Sequence, residues 1–171
     1  MKIEFEIDYM DENYNSTLID ENAVQSKLAL LRNKLGDGNS QEGFVRITKS
    51  GQPIVSIYDA YWFLVKNLCF EYISDNLNNQ KDCYNYGYYV MDNYLVLTDS
   101  NKTIKILGDD SDVPAAIYPK NEFLPALYHC GKRIIDFLES LGFHEGVLPL
   151  LKEAEAKTRK TLSEHGLLLL R

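Results

Sequence analysis

Residues 43–77 read GFVRITKSGQPIVSIYDAYWFLVKNLCFEYISDNL, and they contain the two clearest structural signals of the chain. The first half holds two β-rich runs, residues 44–48 and 54–57, joined by Lys-Ser-Gly-Gln, which predicts a β-hairpin. From about residue 57 to residue 77 apolar side chains cover most of a helical circumference, and they include the single tryptophan, Trp62. A helix with this pattern is normally buried on several sides. We therefore expect the other elements to pack around it.

Two further regions predict strands. In residues 2–10 apolar and acidic residues alternate, which predicts a strand with one buried and one acidic face. That acidic face is either solvated or meets a basic partner. Residues 83–107 predict a three-stranded meander with turns at residues 92–93 and 99–102. Residues 11–17 and 108–120 are polar and predict loops.

Three more helices are predicted, over residues 20–35, 121–141 and 148–164, with Asp20 or Asn22 capping the first and Asn121 capping the second. The elements together predict an α+β fold. Its core is a mainly antiparallel sheet of about five to six strands, packed by a central aromatic helix, with further helices at the C-terminus. Residues 1–166 are predicted to form a single domain, and residues 167–171 a C-terminal tail.

The composition limits the classes of partner. The chain has 171 residues, of which 45% are hydrophobic, and a formal charge of −7. It lacks the clustered Lys and Arg that displace counterions from a nucleic acid, so nucleic-acid binding is disfavoured, whereas a basic protein partner suits the charge. No apolar run approaches the roughly 18 residues that span a bilayer, and the N-terminus lacks a signal-peptide core. We expect no membrane partner and a cytoplasmic location.

Catalytic, metal and cofactor motifs are not found in the sequence. The three cysteines show no metal-ligand spacing, and Cys69 and Cys130 fall within predicted helices, where cysteine is usually a small buried hydrophobe. His129 precedes Cys130, but neighbours on a helix point about 100° apart and do not form a dyad. The acidic segment 109–112 lacks the spacing of an EF-hand. We expect no metal, no cofactor and no enzymatic activity. The alternative is an enzyme whose catalytic residues are scattered along the sequence.

Tyrosine is in excess, and it clusters in the predicted meander. Five of the twelve tyrosines lie in residues 84–94. Tyrosine offers contact area with a polar tip, which interfaces favour; the alternative is that these rings fill a core between sheet and helix. The acidic segment suits a basic partner in the same way. The candidate partner-binding residues are Tyr84, Tyr86, Tyr88, Tyr94, Asp109, Asp110 and Asp112.

The order of these features resembles that of small bacterial immunity proteins of polymorphic and contact-dependent toxin systems. The residues that carry the resemblance are the hairpin 44–57, the aromatic segment YDAYWFL at 58–64, the meander 84–107 and the late helix 124–141. The resemblance implies a stoichiometric inhibitor that binds a cognate toxin domain, often a basic nuclease, and blocks its active site. It is one of layout, and no functional residue is carried over from it.

Two other classes of function stay open at this point. A small enzyme or ligand-binding protein would show a deep pocket with convergent polar groups. A structural or self-assembling protein would show a large apolar face paired across a symmetry axis.

Overall fold

The computed structural model describes residues 1–10, 16–27, 31, 42–60, 63–79, 83–87, 94–100, 102–107, 116–142 and 146–168. In these residues the chain is α+β, with eight strands and four helices. The strands are β1 (Lys2–Met10), β2 (Ser16–Asp20), β3 (Glu42–Lys49), β4 (Gln52–Ala60), β5 (Cys83–Gly87), β6 (Tyr94–Ser100), β7 (Thr103–Leu107) and β8 (Ala116–Pro119). The helices are α1 (Glu21–Val24, followed by a 3₁₀ turn at Gln25–Lys27), α2 (π-helical over Leu64–Glu71 and α-helical over Tyr72–Asn79), α3 (Lys120–Ser140) and α4 (Leu148–Glu164).

The first sheet has the strand order β2-β1-β3-β4, with all neighbours antiparallel. The predicted hairpin is confirmed as β3 and β4. Its turn is tighter than expected, because only Ser50 and Gly51 lie between the strands, both at positive φ (52° and 80°). Two left-handed residues in succession give the turn a twist that matches the flanking strands.

The second sheet has the order β5-β6-β7-β8 and is also antiparallel throughout. The three predicted strands of the meander are confirmed. The prediction of a single sheet of about five to six strands is wrong, because the described strands form two four-stranded sheets. That prediction omits β2 and β8, which are short edge strands whose polar surroundings indicate loops. In β8, buried Ala116 and Tyr118 alternate with Ile117 and Pro119 over only four residues.

The predicted aromatic helix begins later than expected. Residues 57–60 continue strand β4, where Tyr58 pairs with Phe44 and Asp59 with Gly43. β-Branched and aromatic residues suit a strand as well as a buried helix, and pairing with β3 decides between them. Trp62 lies outside the described residues. The apolar part of the helix is buried as predicted, through Leu64, Val65, Leu68, Cys69, Phe70, Tyr72 and Ile73.

The predicted cap at Asp20 is confirmed. Its Oδ1 accepts the backbone N–H groups of Asn22 (2.8 Å) and Ala23 (2.9 Å) at the start of α1. Leu31, within the predicted helix, is helical and fully buried. Residues 28–30 and 32–35 of that prediction lie outside the described residues. The prediction that residues 16–17 belong to a loop is wrong, because they open strand β2.

Helices α3 and α4 confirm the two late helices. The apolar stripes of both helices are buried. The start of α3 has Pro119 in the cap position and no side-chain cap, so the predicted cap at Asn121 is wrong. Gly142, at φ 87°, follows α3 in the left-handed conformation that commonly ends a helix. Among the long helices, α3 makes extensive contacts with both sheets as well as with α2 and α4. In the described part of the chain, α3 therefore contacts more elements than α2 does.

The last described residues also join the core. The Leu167 N–H donates to the Leu162 carbonyl (2.8 Å), and Leu167 and Leu168 pack, partly buried, against the apolar cluster. The start of the segment predicted to be a tail is thus in contact with the domain.

Candidate functional site

The structure places three of the predicted partner-binding tyrosines on one pair of strands. Tyr84 and Tyr86 lie on β5, an edge strand of the second sheet, and Tyr94 begins β6 opposite Gly87. Tyr88, Asp109, Asp110 and Asp112 lie outside the described residues.

Most of the net charge of the chain lies near its N-terminus. Residues 1–21 contain seven carboxylates and one lysine, in a chain whose formal charge is −7. In β1 the buried side chains Ile3, Phe5 and Ile7 face the core, so the acidic residues between them lie on the opposite face of the sheet. The antiparallel register then brings positions of β2 and β3 beside them. We call this surface the acidic face, and its residues are Glu4, Glu6, Asp8, Leu18, Asp20, Phe44 and Arg46.

Two cations lie among the four carboxylates of the acidic face and its edge. Arg46 Nη2 is 2.9 Å from Glu6 Oε2, and its guanidinium lies 5.1 Å from the centre of the Phe44 ring. Lys2 pairs with Glu4. The Arg46–Glu6 pair is mostly covered, with 29% and 18% of the side chains exposed. Counted over the described residues alone, these carboxylates outnumber the cations by two to one.

Apolar side chains lie among these charges. Leu18, opposite Asp8 in the β1–β2 register, is 44% exposed. Phe44, under the Arg46 guanidinium, is partly exposed. Aromatic and Arg side chains with a charged rim are the usual composition of protein interfaces. The acidic face therefore offers both charge and apolar contact area on a rigid sheet.

A cleft of about 660 Å³ lies beside the start of α3. The Lys120 N–H donates to the Lys102 carbonyl (2.9 Å), which joins the β6–β7 turn to the helix. The lining residues are Leu77, Lys102, Thr103, Pro119, Lys120, Asn121, His165 and Leu167.

A second groove, of about 510 Å³, lies between the exposed edges of α2 and α4. Its rim carries both signs of charge, including the Lys66–Glu71 pair at 2.7 Å. Ser74 and Thr158 line it as well, and their hydroxyl groups are 2.8 Å apart. Because its charges are mixed and already paired in part, this groove provides no single sign of charge for a ligand.

Buried titratable groups cluster where the three long helices meet. A hydrogen bond with Cys130, together with burial, raises the pKa of the Cys69 thiol well above its usual value. Since the thiolate is the reactive form, this shift keeps Cys69 unreactive. His129 is exposed whereas Cys130 is buried, so the two neighbours point apart as predicted.

Tyr128 and Glu155 join α3 to α4. The Tyr128 hydroxyl donates to Glu155 Oε1, and Arg159 Nε lies 3.6 Å from the same oxygen. Burial, and then the hydrogen bond with Glu155, raises the pKa of Tyr128. The carboxylate of Glu155 is thus held by two partners at the edge of the core.

The described residues offer neither a cluster of metal ligands nor a membrane-spanning helix. Among them, no three His, Cys, Asp or Glu side chains come together in a way that would hold a metal ion. In the same part of the chain, no helix has the length and apolar character needed to cross a membrane.

Comparison of the chain with protein-family models, curated proteins and solved structures gives no significant match.

The sequence alone indicates the β1 part of the acidic face but misses Leu18, Phe44 and Arg46. A signal for Phe44 and Arg46 is present, because alternation with buried Val45 and Ile47 puts them on one face. Leu18 is missed together with strand β2. The cleft residues come from four separate segments of the chain, and no local pattern marks them.

Proposed function

We propose that this chain is a non-catalytic, cytoplasmic protein-binding inhibitor, an immunity protein that neutralises a cognate bacterial toxin, and that the acidic face contacts the toxin. The observation that carries the proposal is the concentration of carboxylates on one face of the first sheet, around exposed Leu18. A basic toxin domain is the partner that this charge suits.

Charge and rigidity both support the acidic face as the contact surface. Carboxylates grouped on one surface steer a basic partner and raise its association rate. The face lies on strands that are paired along their length and backed by the apolar cluster, so little ordering entropy is lost on binding. Leu18 and the Phe44 ring then supply apolar contact area, whose contribution depends little on salt.

The tyrosines and the acidic segment are the second contact set of the proposal. Three of the four tyrosines lie in the β5–β6 pair at the edge of the second sheet. A toxin that binds there would make its contacts through Tyr84, Tyr86, Tyr88, Tyr94, Asp109, Asp110 and Asp112.

The first experiment identifies the partner. The chain is co-expressed with each neighbouring open reading frame of its host, and growth rescue and one-to-one co-purification are scored. We expect one basic protein to be toxic alone and to be both neutralised and captured by this chain. Failure of every frame to show toxicity relieved by the chain would overturn the immunity function.

The second experiment locates the interface by association kinetics with the captured partner. Glu4→Gln/Asp8→Asn removes two charges from the acidic face with little change of shape, and we expect association to slow by about tenfold at low salt. Glu153→Gln/Glu164→Gln is the matched control, because it removes two charges from exposed positions of α4. Equal rates for the two variants would exclude the acidic face and direct the test to Tyr84→Ala and to neutralisation of residues 109, 110 and 112.

A further inference from the structure

The cleft beside the start of α3 differs in charge from the rest of the chain. The protein has 25 Asp and Glu against 18 Lys and Arg, yet among the described residues that line this cleft the ionisable ones, Lys102, Lys120 and His165, are all basic. The hydrogen bond from the Lys120 N–H to the Lys102 carbonyl joins the backbones of the two lysines. Their position beside each other is thus set by the fold.

The cleft also has an apolar part. Leu77, near the end of α2, and Leu167, after α4, are both partly buried and packed against the core cluster. Pro119 adds a third apolar surface, while Thr103 and Asn121 add neutral hydrogen-bonding groups. A volume of about 660 Å³ lies within the range, about 300–1,000 Å³, of small-molecule sites.

We propose that this cleft binds a small organic anion, a carboxylate or phosphate attached to a short apolar group, with its head group at Lys102 and Lys120 and its apolar group against Leu77 and Leu167. Charge-assisted hydrogen bonds from two lysines suit either head group. The lining residues belong neither to the acidic face nor to the second contact set, so this site is separate from the residues proposed to bind the toxin.

The test is calorimetric titration with four probes: hexyl phosphate, hexanoate, inorganic phosphate and hexylamine. We expect both hexyl anions to bind and to compete with each other, inorganic phosphate to bind more weakly, and hexylamine not to bind. The relative affinity of hexyl phosphate and hexanoate then identifies the head group. Absence of binding by both hexyl anions, or equal binding of hexylamine, would overturn the proposal.

Two variants locate the binding. Lys102→Gln/Lys120→Gln is expected to lower the affinity for hexyl phosphate by at least about tenfold. Lys49→Gln/Lys105→Gln, which changes the same charge at two exposed lysines that do not line the cleft, is expected to bind as the unaltered protein does. An equal loss of affinity in both double variants would show that anion binding depends on the overall charge of the protein, and it would reject the site.

A third variant tests the apolar part. Leu167→Ala is expected to lower the affinity for hexyl phosphate and to leave the affinity for inorganic phosphate unchanged. An unfolding transition is measured for each variant to confirm that it is folded. Equal losses for the two phosphates would contradict a role for the apolar surface. Capture of the protein partner by Lys102→Gln/Lys120→Gln is expected to be unchanged, which separates this site from the proposed function.

Discussion

Helix α2 is held on two sides in two different ways. Against α3 it packs closely at Gly131, where a Cβ would lie 2.6 Å from Cys69 Cβ and 3.0 Å from the Phe70 ring. Against α4 it is held by hydrogen bonds, since the Thr158 hydroxyl donates to the Phe70 carbonyl (3.1 Å) and lies 2.8 Å from the Ser74 hydroxyl. The first contact depends on shape and the second on polar partners.

The π-helical part of α2 takes part in both contacts. The Tyr72 N–H donates to the Asn67 carbonyl, five residues back, and Cys69 and Phe70 lie in this wider turn. Phe70 meets α3 through its ring and α4 through its carbonyl. A substitution that disturbs the packing against α3 and one that removes the hydrogen bonds to α4 should therefore destabilise the same segment by different amounts.

The largest effect is expected from Gly131→Ala. In an ordinary helix interior this change stabilises by about 1 kcal/mol. Here the new Cβ overlaps Cys69 Cβ, which is fixed to the opposing backbone and cannot rotate away, so we expect a net loss of about 2 kcal/mol in the free energy of unfolding. Urea denaturation measures the loss.

Gly142→Ala is the control for this variant. Gly142 has φ 87° and open space where a Cβ would lie, so its replacement costs backbone strain alone, about 1 kcal/mol. A gain in stability for Gly131→Ala would show that α2 and α3 are too far apart for the new methyl group to clash, and would remove the contrast between the two sides of α2.

An intermediate effect is expected from Thr158→Val. The variant keeps the shape of the side chain but leaves the Phe70 carbonyl and the Ser74 hydroxyl without this partner in the core. The expected cost is about 1.5 kcal/mol in the free energy of unfolding. Because Thr158 has one hydroxyl proton, which goes to Phe70, Ser74 is the donor in the second hydrogen bond.

Thr161→Val is the matched control, on the same helix and also buried. The Thr161 hydroxyl donates to the Lys157 carbonyl of its own helix (3.2 Å), so its loss breaks no contact between elements. We expect a change close to zero. Equal losses for the two threonines would mean that the hydrogen bonds between α2 and α4 add nothing beyond local ones.

The two contacts of α2 also show how far the sequence predicts this fold. Helices α3 and α4 are predicted to within a residue or so, because Leu124, Leu127 and Ile134 recur at helical spacing and Gly142 ends the pattern. The start of α2 is misplaced because Ile57 and Tyr58 suit either element. Gly131 lies within an apolar helix, which indicates that another element packs closely against it. That the opposing residue is Cys69 follows only from the tertiary structure.

The candidate site is predictable only where it is local. Alternation in β1 is by itself enough to place Glu4, Glu6 and Asp8 on one face. Their neighbour Leu18 depends on the pairing of β2 with β1, a short strand whose polar surroundings resemble a loop. Lys102, Lys120 and His165 come from segments that are far apart in the sequence, and only the tertiary structure brings them to one cleft. There a backbone hydrogen bond joins Lys120 to Lys102.

The smallest effect is expected from Tyr128→Phe, which tests the polar contact of α4 with α3. Loss of the hydrogen bond to Glu155 is expected to cost about 1 kcal/mol near pH 8, because Arg159 still pairs with the carboxylate. The pKa of Tyr128 is raised in the folded state above its unfolded value of about 10.

The raised pKa gives this variant a pH dependence of known sign. The folded state keeps the Tyr128 proton where the unfolded state releases it, so the contribution of Tyr128 to stability is complete below pH about 10 and falls as the pH rises above it. The difference in unfolding free energy between the unaltered protein and Tyr128→Phe should therefore narrow from pH 8 to pH values above about 10, while titrations common to both proteins cancel. A difference that stays constant over this range would mean that Tyr128 ionises equally easily in both states, so that its hydrogen bond to Glu155 does not hold its proton.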